Sequence, residues 1–506
     1  MVDTIADLIG SGSDAAPAVL AVDRAPLDYA GLRRQLRTTA EALRRAGIGR
    51  GDAVAIVLAN GPAMATAFVG VAAAAVAAPL NPAYRADEFD FYLGDLEAKA
   101  LIVAEGVETP ARQVAARRGI PLLELTAPPD APAGAFDLAP QAVGGASAVD
   151  SPAQADDVAL VLHTSGTTSR PKIVPLSQRN LCASAGHIAR TLALSPEDRC
   201  LNVMPLFHIH GLMAAVLASF AAGAAVVCTP GFNALRFFAW LDELKPSWYT
   251  AVPTMHQAIL ARAARNPEIV ARARLRLIRS SSASLPPQVM ADLERLFGCP
   301  VIESYGMTEA AHQMASNPLP PAARKPGSVG IAAGPEIAVM APDGALLPAG
   351  TAGEVVIRGP NVTGGYQNNP EANAGAFAAG WFRTGDQGVL DREGYLTITG
   401  RLKEIINRGG EKVAPLEVDN VLSAHPAVAQ ALTFGVPHPK LGEEVGAAVV
   451  LREGASASEA EIRAFAAERL ADFKVPRRVV FLDEIPKGAT GKLQRIGLAE
   501  RLGVSA

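Results

Sequence analysis

The sequence predicts an α/β protein of two unequal domains: a large N-terminal one of helix-covered mixed sheets with a β-rich subdomain, then a small α+β one. Three observations carry this reading. From about residue 33 to residue 334, apolar runs of strand length alternate with amphipathic segments, the β–α–β order of a largely parallel, helix-covered sheet. After Pro335 the pattern changes to short strands between glycine turns. Beyond Gly400–Gly410 (GRLKEIINRGG) lies a unit of roughly 100 residues with its own helices and strands, a normal size for a small domain. A chain of 506 residues is in any case too long for one compact core.

The elements follow in order. Residues 33–47 space apolar groups at helical intervals against Arg and Glu, and Gly47 is placed as a C-cap. Residues 53–58 are a short strand before the Asn60-Gly61-Pro62 turn. The uncharged, Ala-rich stretch 65–78 predicts a buried helix, since it falls short of the ~20 residues a membrane span needs. Ala77–Pro82 resembles a strand entering a loop, and 127–148, rich in Pro, Ala and Gly, predicts a loose surface connection. Strands are expected at 158–162, 224–229, 248–252, 275–280 and 301–304, with a helix at 235–244. GEVVIRG (353–359) and GYLTITG (394–400) read as strands of the β-rich part. In the last unit, helices are expected at 417–423 and 459–470 and strands at 447–451 and 478–481.

Composition excludes several function classes. Net charge is −4, from 46 basic and 50 acidic residues, with no basic block, so nucleic acid is not an expected partner. Cys182, Cys200, Cys228 and Cys299 lack C-x-x-C spacing, which argues against zinc or a disulfide framework and for a reducing cytoplasm. The N-terminus has early Asp3 and Asp7 and no basic region, so it does not read as a signal peptide. The C-terminus, LGVSA, is no peroxisomal address, and no membrane association is expected.

Residues 163–173 (HTSGTTSRPKI) say most about chemistry. An apolar strand empties into a loop of hydroxyls and bare backbone, Thr164, Ser165, Gly166, Thr167, Thr168 and Ser169, with Lys172 at its far end. Backbone N–H and side-chain O–H donors with a fixed ammonium suit a polyphosphate. The spacing is not that of a Walker A loop, and a Ser/Thr-rich surface turn is the plain alternative. Further on, Tyr305-Gly306-Met307-Thr308-Glu309 sets an aromatic ring, a hydroxyl and a carboxylate straight after a strand. Thr384-Gly385-Asp386 puts a carboxylate in a tight glycine turn. Arg401 and Lys403 precede Gly409-Gly410, and Lys492 lies on the glycine-flanked loop Pro486–Lys492.

Taken in this order, these segments resemble the adenylate-forming enzymes: acyl-CoA synthetases, adenylation domains of peptide synthetases and firefly luciferase. The resemblance covers nearly the whole chain. It implies ATP and CoA as co-substrates, Mg²⁺ as cofactor, and a division into 1–400 and a mobile 401–506. By position, Thr164–Thr168 and Lys172 would hold the β- and γ-phosphates, Tyr305 with Gly306 would meet adenine, and Thr308 would touch phosphate. Glu309 would bind Mg²⁺, Asp386 and Arg401 the ribose, with Asn407 also at the nucleotide. Lys492 would bridge the attacking carboxylate and the α-phosphate, where two anions must meet. Lys403 matches the hinge, and Gly409-Gly410 would move beside a pantetheine tunnel, although a plain C-cap turn explains those glycines as well.

The acid is read from polar residues. In PLFHIHG (205–211), an extended chain would put His208 and His210 on one face, and His208 matches the position that gates the acyl site. RSSSASL (279–285) places Ser282 and Ser284 where many relatives have Ala and Pro. His312 would lie on the side of Thr308 if that segment is helical. Hydroxyls and imidazoles line a hydrocarbon pocket poorly, because buried polar groups would lose their partners; they suit a small dicarboxylate. HTSGTTSRPK, PLFHIHGL, RSSSASL, MTEAAHQMASNPLP and RGPNVTGGYQNNPEAN together look like the oxalate–CoA ligases. The chain departs at Ile173, where Gly is common, and at Gly306, where plant relatives can have Ala. The implied activity is oxalyl-CoA formation through oxalyl-AMP. Open beside it stand a ligase for malonate or another short acid, an enzyme loading a separate carrier protein, and a non-catalytic adenylate-binding protein.

Overall fold

In a computed structural model, residues 2–140, 151–164, 171–487 and 493–504 are described. Two large sheets face each other across a common core. The first runs Asp137–Pro140, Leu122–Thr126, Ala100–Ala104, Ala53–Val57, Val76–Pro79, Val158–His163, Ile173–Ser177 in spatial order. Its central pairings are parallel, and only its two edge strands run antiparallel. The second has at its centre the parallel strands Arg199–Asn202, Trp248–Ala251, Leu277–Ser280 and Val301–Met307. There the chain doubles back antiparallel through His312–Ser316. One buried apolar cluster joins the sheets, with Val54, Ile56 and Leu160 on one side, Trp248, Leu277 and Ile302 on the other, and Phe68 and Met213 between.

Local chemistry accounts for the helices that fill this core. Tyr29–Arg45 starts where the Asp28 carboxylate accepts from the Gly31 N–H at 2.6 Å, four residues before the sequence expectation. Arg44 and Arg45 sit in its last turn, where cations suit the helix dipole. Gln178–Thr191 opens on a Ser177/Asn180 capping box.

Two expectations need correction. The uncharged stretch 65–78 is not one helix: Pro62–Ala72 ends, the chain turns, and Val76–Pro79 enters the sheet. An all-apolar run suits a buried helix and a buried parallel strand equally, so its pattern alone could not divide it. The expected loose connection at 127–148 contains an edge strand, Asp137–Pro140, paired with Leu122–Thr126; residues 141–148 lie outside the described residues. Among the described residues no helix is long and apolar enough to cross a membrane, and all four cysteines are free and buried.

The third sheet is antiparallel, from Glu336–Met340, Gly353–Arg358, Phe377–Ala378, Trp381–Leu390 and Leu396–Arg401. Ala310, Met314, Ile357 and Phe382 form a small core that pins it against the 301–316 hairpin. Strands from Ile406 onward make a fourth sheet with its own core of Val418, Leu422, Val445, Val449, Ile462 and Val479. That unit touches the rest where Gln257 Nε2 donates to the Ala429 carbonyl at 3.1 Å and Gln430 Nε2 to Gln257 Oε1 at 3.1 Å.

Candidate active site

Several candidate residues, among them Thr164, His208, Ser282 and Glu309, follow the C-terminal ends of parallel strands, where open α/β sheets bind ligands. Val158–His163 and Ile173–Ser177 form a hairpin whose mouth is closed by two bonds. The Thr164 N–H donates to the Lys172 carbonyl at 2.9 Å, and the Lys172 N–H to Thr164 Oγ1 at 3.2 Å. Ser165, Gly166, Thr167 and Thr168 lie outside the described residues. The Lys172 ammonium stands 4.5 Å above the Tyr366 ring, whose hydroxyl donates to Glu309 Oε1 at 2.9 Å. Tyr366 is fixed in turn by Asn373, which accepts from its N–H at 2.7 Å and donates to its carbonyl at 2.8 Å. Sequence reasoning missed Tyr366, although the quoted GGYQNN motif contains it.

Glu309 is 6% exposed, in the short 3₁₀ helix Thr308–Ala310. Burial pushes its carboxyl above the ordinary range; the Tyr366 hydroxyl, Arg401 and Lys172 oppose that rise. A buried carboxylate beside the Thr308 hydroxyl is a hard-oxygen donor set. Among the described residues there is no cluster of three or more His, Cys, Asp and Glu able to hold a metal. Mg²⁺ suits such a site, because it keeps waters and substrate phosphate oxygens and needs only one or two carboxylates. Across the cleft, Asp386 pairs with Arg401 on the neighbouring strand, Arg401 Nε lying 3.4 Å from Oδ1, and accepts from the Tyr305 hydroxyl at Oδ2. Thr384-Gly385-Asp386 is not the expected tight turn. It lies within the strand Trp381–Leu390, kinked where Gly385 takes φ 73°.

The acyl-side candidates converge by a route the sequence did not show. His208 and His210 are not on an extended strand: a turn leads into a π-helix, His210–Leu217, and His208 Nδ1 accepts from the His210 N–H at 3.3 Å. Nor is His312 on a helix with Thr308. The 3₁₀ turn breaks at Ala311 (φ 46°), and His312 (φ 91°) begins a strand. The two imidazoles nevertheless stack, centroids 4.9 Å apart and planes at 24°. His210 Nδ1 lies 3.0 Å from Ser282 Oγ and its Nε2 2.6 Å from Thr250 Oγ1. Ser282 takes φ 73°, an uncommon conformation for a residue with a Cβ. Behind His312 sits Arg279, fully buried, with Nη1 3.1 Å from His312 Nε2. Neither Thr250 nor Arg279 stood out in the sequence as a site residue, although Arg279 opens the RSSSASL motif. Gly306 links the two halves of the site: a Cβ there would lie 1.7 Å from the His312 carbonyl oxygen.

Lys403 is exposed in a turn closed by Glu404 N–H and Ile405 N–H on the Arg401 carbonyl, at 2.8 and 3.1 Å. Asn407, Gly409 and Gly410 belong to the fourth sheet. The Asn407 N–H donates to Glu443 Oε2 at 2.8 Å and the Gly409 N–H to the Leu441 carbonyl at 2.8 Å. Gly409 (φ 60°) and Gly410 (φ 98°) are not a helix C-cap; they form the two-residue turn of the hairpin Ile406–Arg408/Glu411–Val413, which needs positive φ at both positions. Lys492 lies outside the described residues. Its flanks are tied by a bridge between Lys487 and Leu493, and Arg495 pairs with Glu404 at 3.2 Å and Asp419 at 2.8 Å.

Three comparisons with known proteins bear on the family and the fold. Residues 12–367 match the family described as AMP-binding enzyme and 417–492 its C-terminal domain. The chain belongs to the AMP-binding enzyme family. The oxalate–CoA ligase of Arabidopsis thaliana is 48% identical to this AMP-binding enzyme, over 91% of this chain and 90% of that protein. The oxalate–CoA ligase of Saccharomyces cerevisiae is 42% identical, over 90% and 88%. The crystal structure of ATP-bound MatB from Rhodopseudomonas palustris superposes with a TM-score of 0.89 at 31% identity, covering 99% of both chains; its apo form gives 0.81. The α/β fold expected from the sequence, large mixed sheets followed by a smaller α+β unit, is the fold these enzymes share.

Proposed function

We propose that this AMP-binding enzyme is an ATP- and Mg²⁺-dependent ligase that forms oxalyl-CoA from oxalate and CoA through oxalyl-AMP, releasing AMP and diphosphate. The observation that supports the acid is a cluster of polar side chains: His210 meets Ser282 and Thr250 and stacks on His312, a lining that suits a small polar acid better than a hydrocarbon chain. High identity to two oxalate–CoA ligases points the same way.

In this reading Thr164–Thr168 and Lys172 hold the β- and γ-phosphates, and Thr308 completes that cradle. Tyr305 and Gly306 flank adenine, Asp386 and Arg401 hold the ribose, and Asn407 approaches the nucleotide. Glu309 and Thr308 would hold Mg²⁺, which supplies positive charge against the developing phosphate charge. His210, Ser282 and His312 orient the acid, and His208 gates its entry. One carboxylate oxygen forms a bond to the α-phosphorus as the bond to diphosphate breaks. Lys492 lowers the repulsion between those anions, which places it in the role of a preorganised electrostatic donor. Rotation of 401–506 about Lys403 then withdraws Lys492 and brings Gly409-Gly410 in. The CoA thiolate bonds to the acyl carbon as AMP leaves.

The pocket chemistry also admits malonate or another short acid with a second polar end. A panel of short mono- and dicarboxylates, scored for AMP and CoA-thioester formation with CoA alone, separates the readings. Oxalate should give the highest kcat/KM with free thioester released. Diphosphate release without thioester would favour a carrier-protein acceptor. No diphosphate with any acid would overturn the ligase reading.

A further inference from the structure

Arg279 is fully buried on the central strand Leu277–Ser280, in register with Thr250 on one side and Ile302 on the other. Its fork is held at two points: Nη1 lies 3.1 Å from His312 Nε2, and Nη2 donates to Gln313 Oε1 at 3.3 Å. Gln313 is itself fixed, donating to Thr191 Oγ1 at 3.1 Å and to the Ala333 carbonyl at 3.0 Å. Among the described residues Arg279 Nε has no partner and no carboxylate forms an ion pair with the guanidinium. Burial pushes its pKa down to about 9, so it remains a cation near neutrality.

Buried arginines are as a rule paired with an acid. This one is placed where an apolar side chain would fill the same space without the desolvation penalty. Its charge faces the wall built for the acid, with one imidazole between them. Guanidinium has only donors, so at the Arg279 contact His312 Nε2 must be the acceptor. The neutral imidazole then carries its hydrogen on Nδ1, which makes His312 a donor at its other nitrogen. His312 stacks on His210, and His210 reaches Ser282.

We propose that Arg279 is a specificity-determining positioning residue: acting through His312, it fixes a donor tautomer and supplies a positive field that favours acids with a second negative charge. The counter-ion of the buried cation is the far carboxylate of the substrate. This deepens the ligase reading of the same pocket and rests on it.

The test uses the full chain with Arg279→Gln and Arg279→Lys, oxalate, and oxamate, in which an uncharged amide replaces the far carboxylate. Wild type should prefer oxalate. Arg279→Gln should lose about 10- to 30-fold in kcat/KM for oxalate, mainly through KM, and change less than about threefold for oxamate and ATP, as expected for one removed charge at intermediate distance. Arg279→Lys keeps the charge and should retain most of the preference. Equal losses for both acids, an unchanged oxalate/oxamate ratio, or a Lys variant that behaves like Gln would overturn the proposal. Should Arg279→Gln fail to fold, Arg279→Lys decides by its ratio; if neither folds, the residue is scaffold and the proposal falls. A wild type inactive on oxalate is instead a failure of the oxalate reading. The ratio is then measured with malonate and its monoamide if malonate is the acid used.

Discussion

The proposed phosphate side and the proposed acyl side of the site are built differently. On the phosphate side, charges come as near neighbours in sequence or across one strand pair: Thr164 with Lys172, Thr308 with Glu309, Asp386 with Arg401. Much of it meets solvent, the Arg401 side chain being 57% exposed. The acyl side draws on four separate segments, through His210, Thr250, the pair Arg279 and Ser282, and His312, and the first and last of these residues are at most 1% exposed. The proposed nucleotide site therefore rests on short motifs that survive as linear patterns. The proposed acid site rests on tertiary packing, where residues up to 102 positions apart meet, from His210 to His312.

Five substitutions sharpen or break this division. Lys492→Ala should slow adenylation on the order of 10²–10³-fold or more, read as diphosphate release, with little change in melting temperature; a loss below about tenfold would remove it from the chemistry. Gly306→Ala should damage both sides at once, since the new methyl meets the His312 backbone. A fall of about 3 kcal/mol or more in stability, with raised KM for both ATP and acid, is the expected result. Damage confined to one substrate would show that the two sides are less coupled than Gly306 implies.

Glu303 gives a pH signature beneath the acyl wall. It is 2% exposed, Oε1 accepts from the Leu285 N–H at 2.8 Å, and burial pushes its carboxyl up to about 8. Because the folded state holds this proton more tightly than the unfolded one, its stabilising contribution is complete below about pH 4.5 and is lost as pH rises through 8. His187 and His256, lowered by burial to about 4 and about 3, alter the slope only below their ordinary range near 6.5. Between pH 6.5 and 8 wild type should thus lose about 2 kcal/mol that Glu303→Gln keeps. Parallel melting curves across that window would refute the assignment.

Tyr366→Phe removes the hydroxyl on Glu309 and should lower kcat/KM for ATP about tenfold with the KM for acid unchanged, the value of one hydrogen bond to a buried carboxylate. Ser282→Ala should have the smallest effect, a few-fold loss with oxalate and better tolerance of monocarboxylates, in proportion to one neutral hydrogen bond. An unchanged acid preference would remove Ser282 from the pocket.

Legibility in the sequence followed the same line. Strands such as Trp248–Ala251 and Gly353–Arg358 announce themselves as apolar runs between turn residues, and the fold class follows from their order. The strand at 158–162 with Thr164 and Lys172 beyond it, and Thr308-Glu309 after the strand at 301–304, were legible because their chemistry is local; the return strand Ile173–Ser177 and the 3₁₀ turn at Thr308–Ala310 were not. His312 was placed near the acid by residue type and on a helix by spacing; the type was informative and the spacing was not, because Ala311 and His312 take left-handed backbone that no 3.6-residue periodicity reports. Arg279 read as part of a buried strand because its neighbours Leu277 and Ile278 are apolar, and only the tertiary fold shows that its charge has no acid beside it. Tyr366 lay inside a quoted motif, yet nothing in linear order pairs it with a carboxylate 57 positions earlier.

The wide-bored helix at His210–Leu217 has an evolutionary corollary. A π-turn holds one residue more than an α-turn, so deleting a single residue within it would restore regular winding and swing His210 through roughly 100°. Such a deletion would detach the imidazole from Thr250 and Ser282 while leaving the strands Val158–His163 and Ile173–Ser177 in place. If His210 orients the acid as proposed, one codon's length in this segment would alter acid preference without rebuilding the proposed nucleotide site.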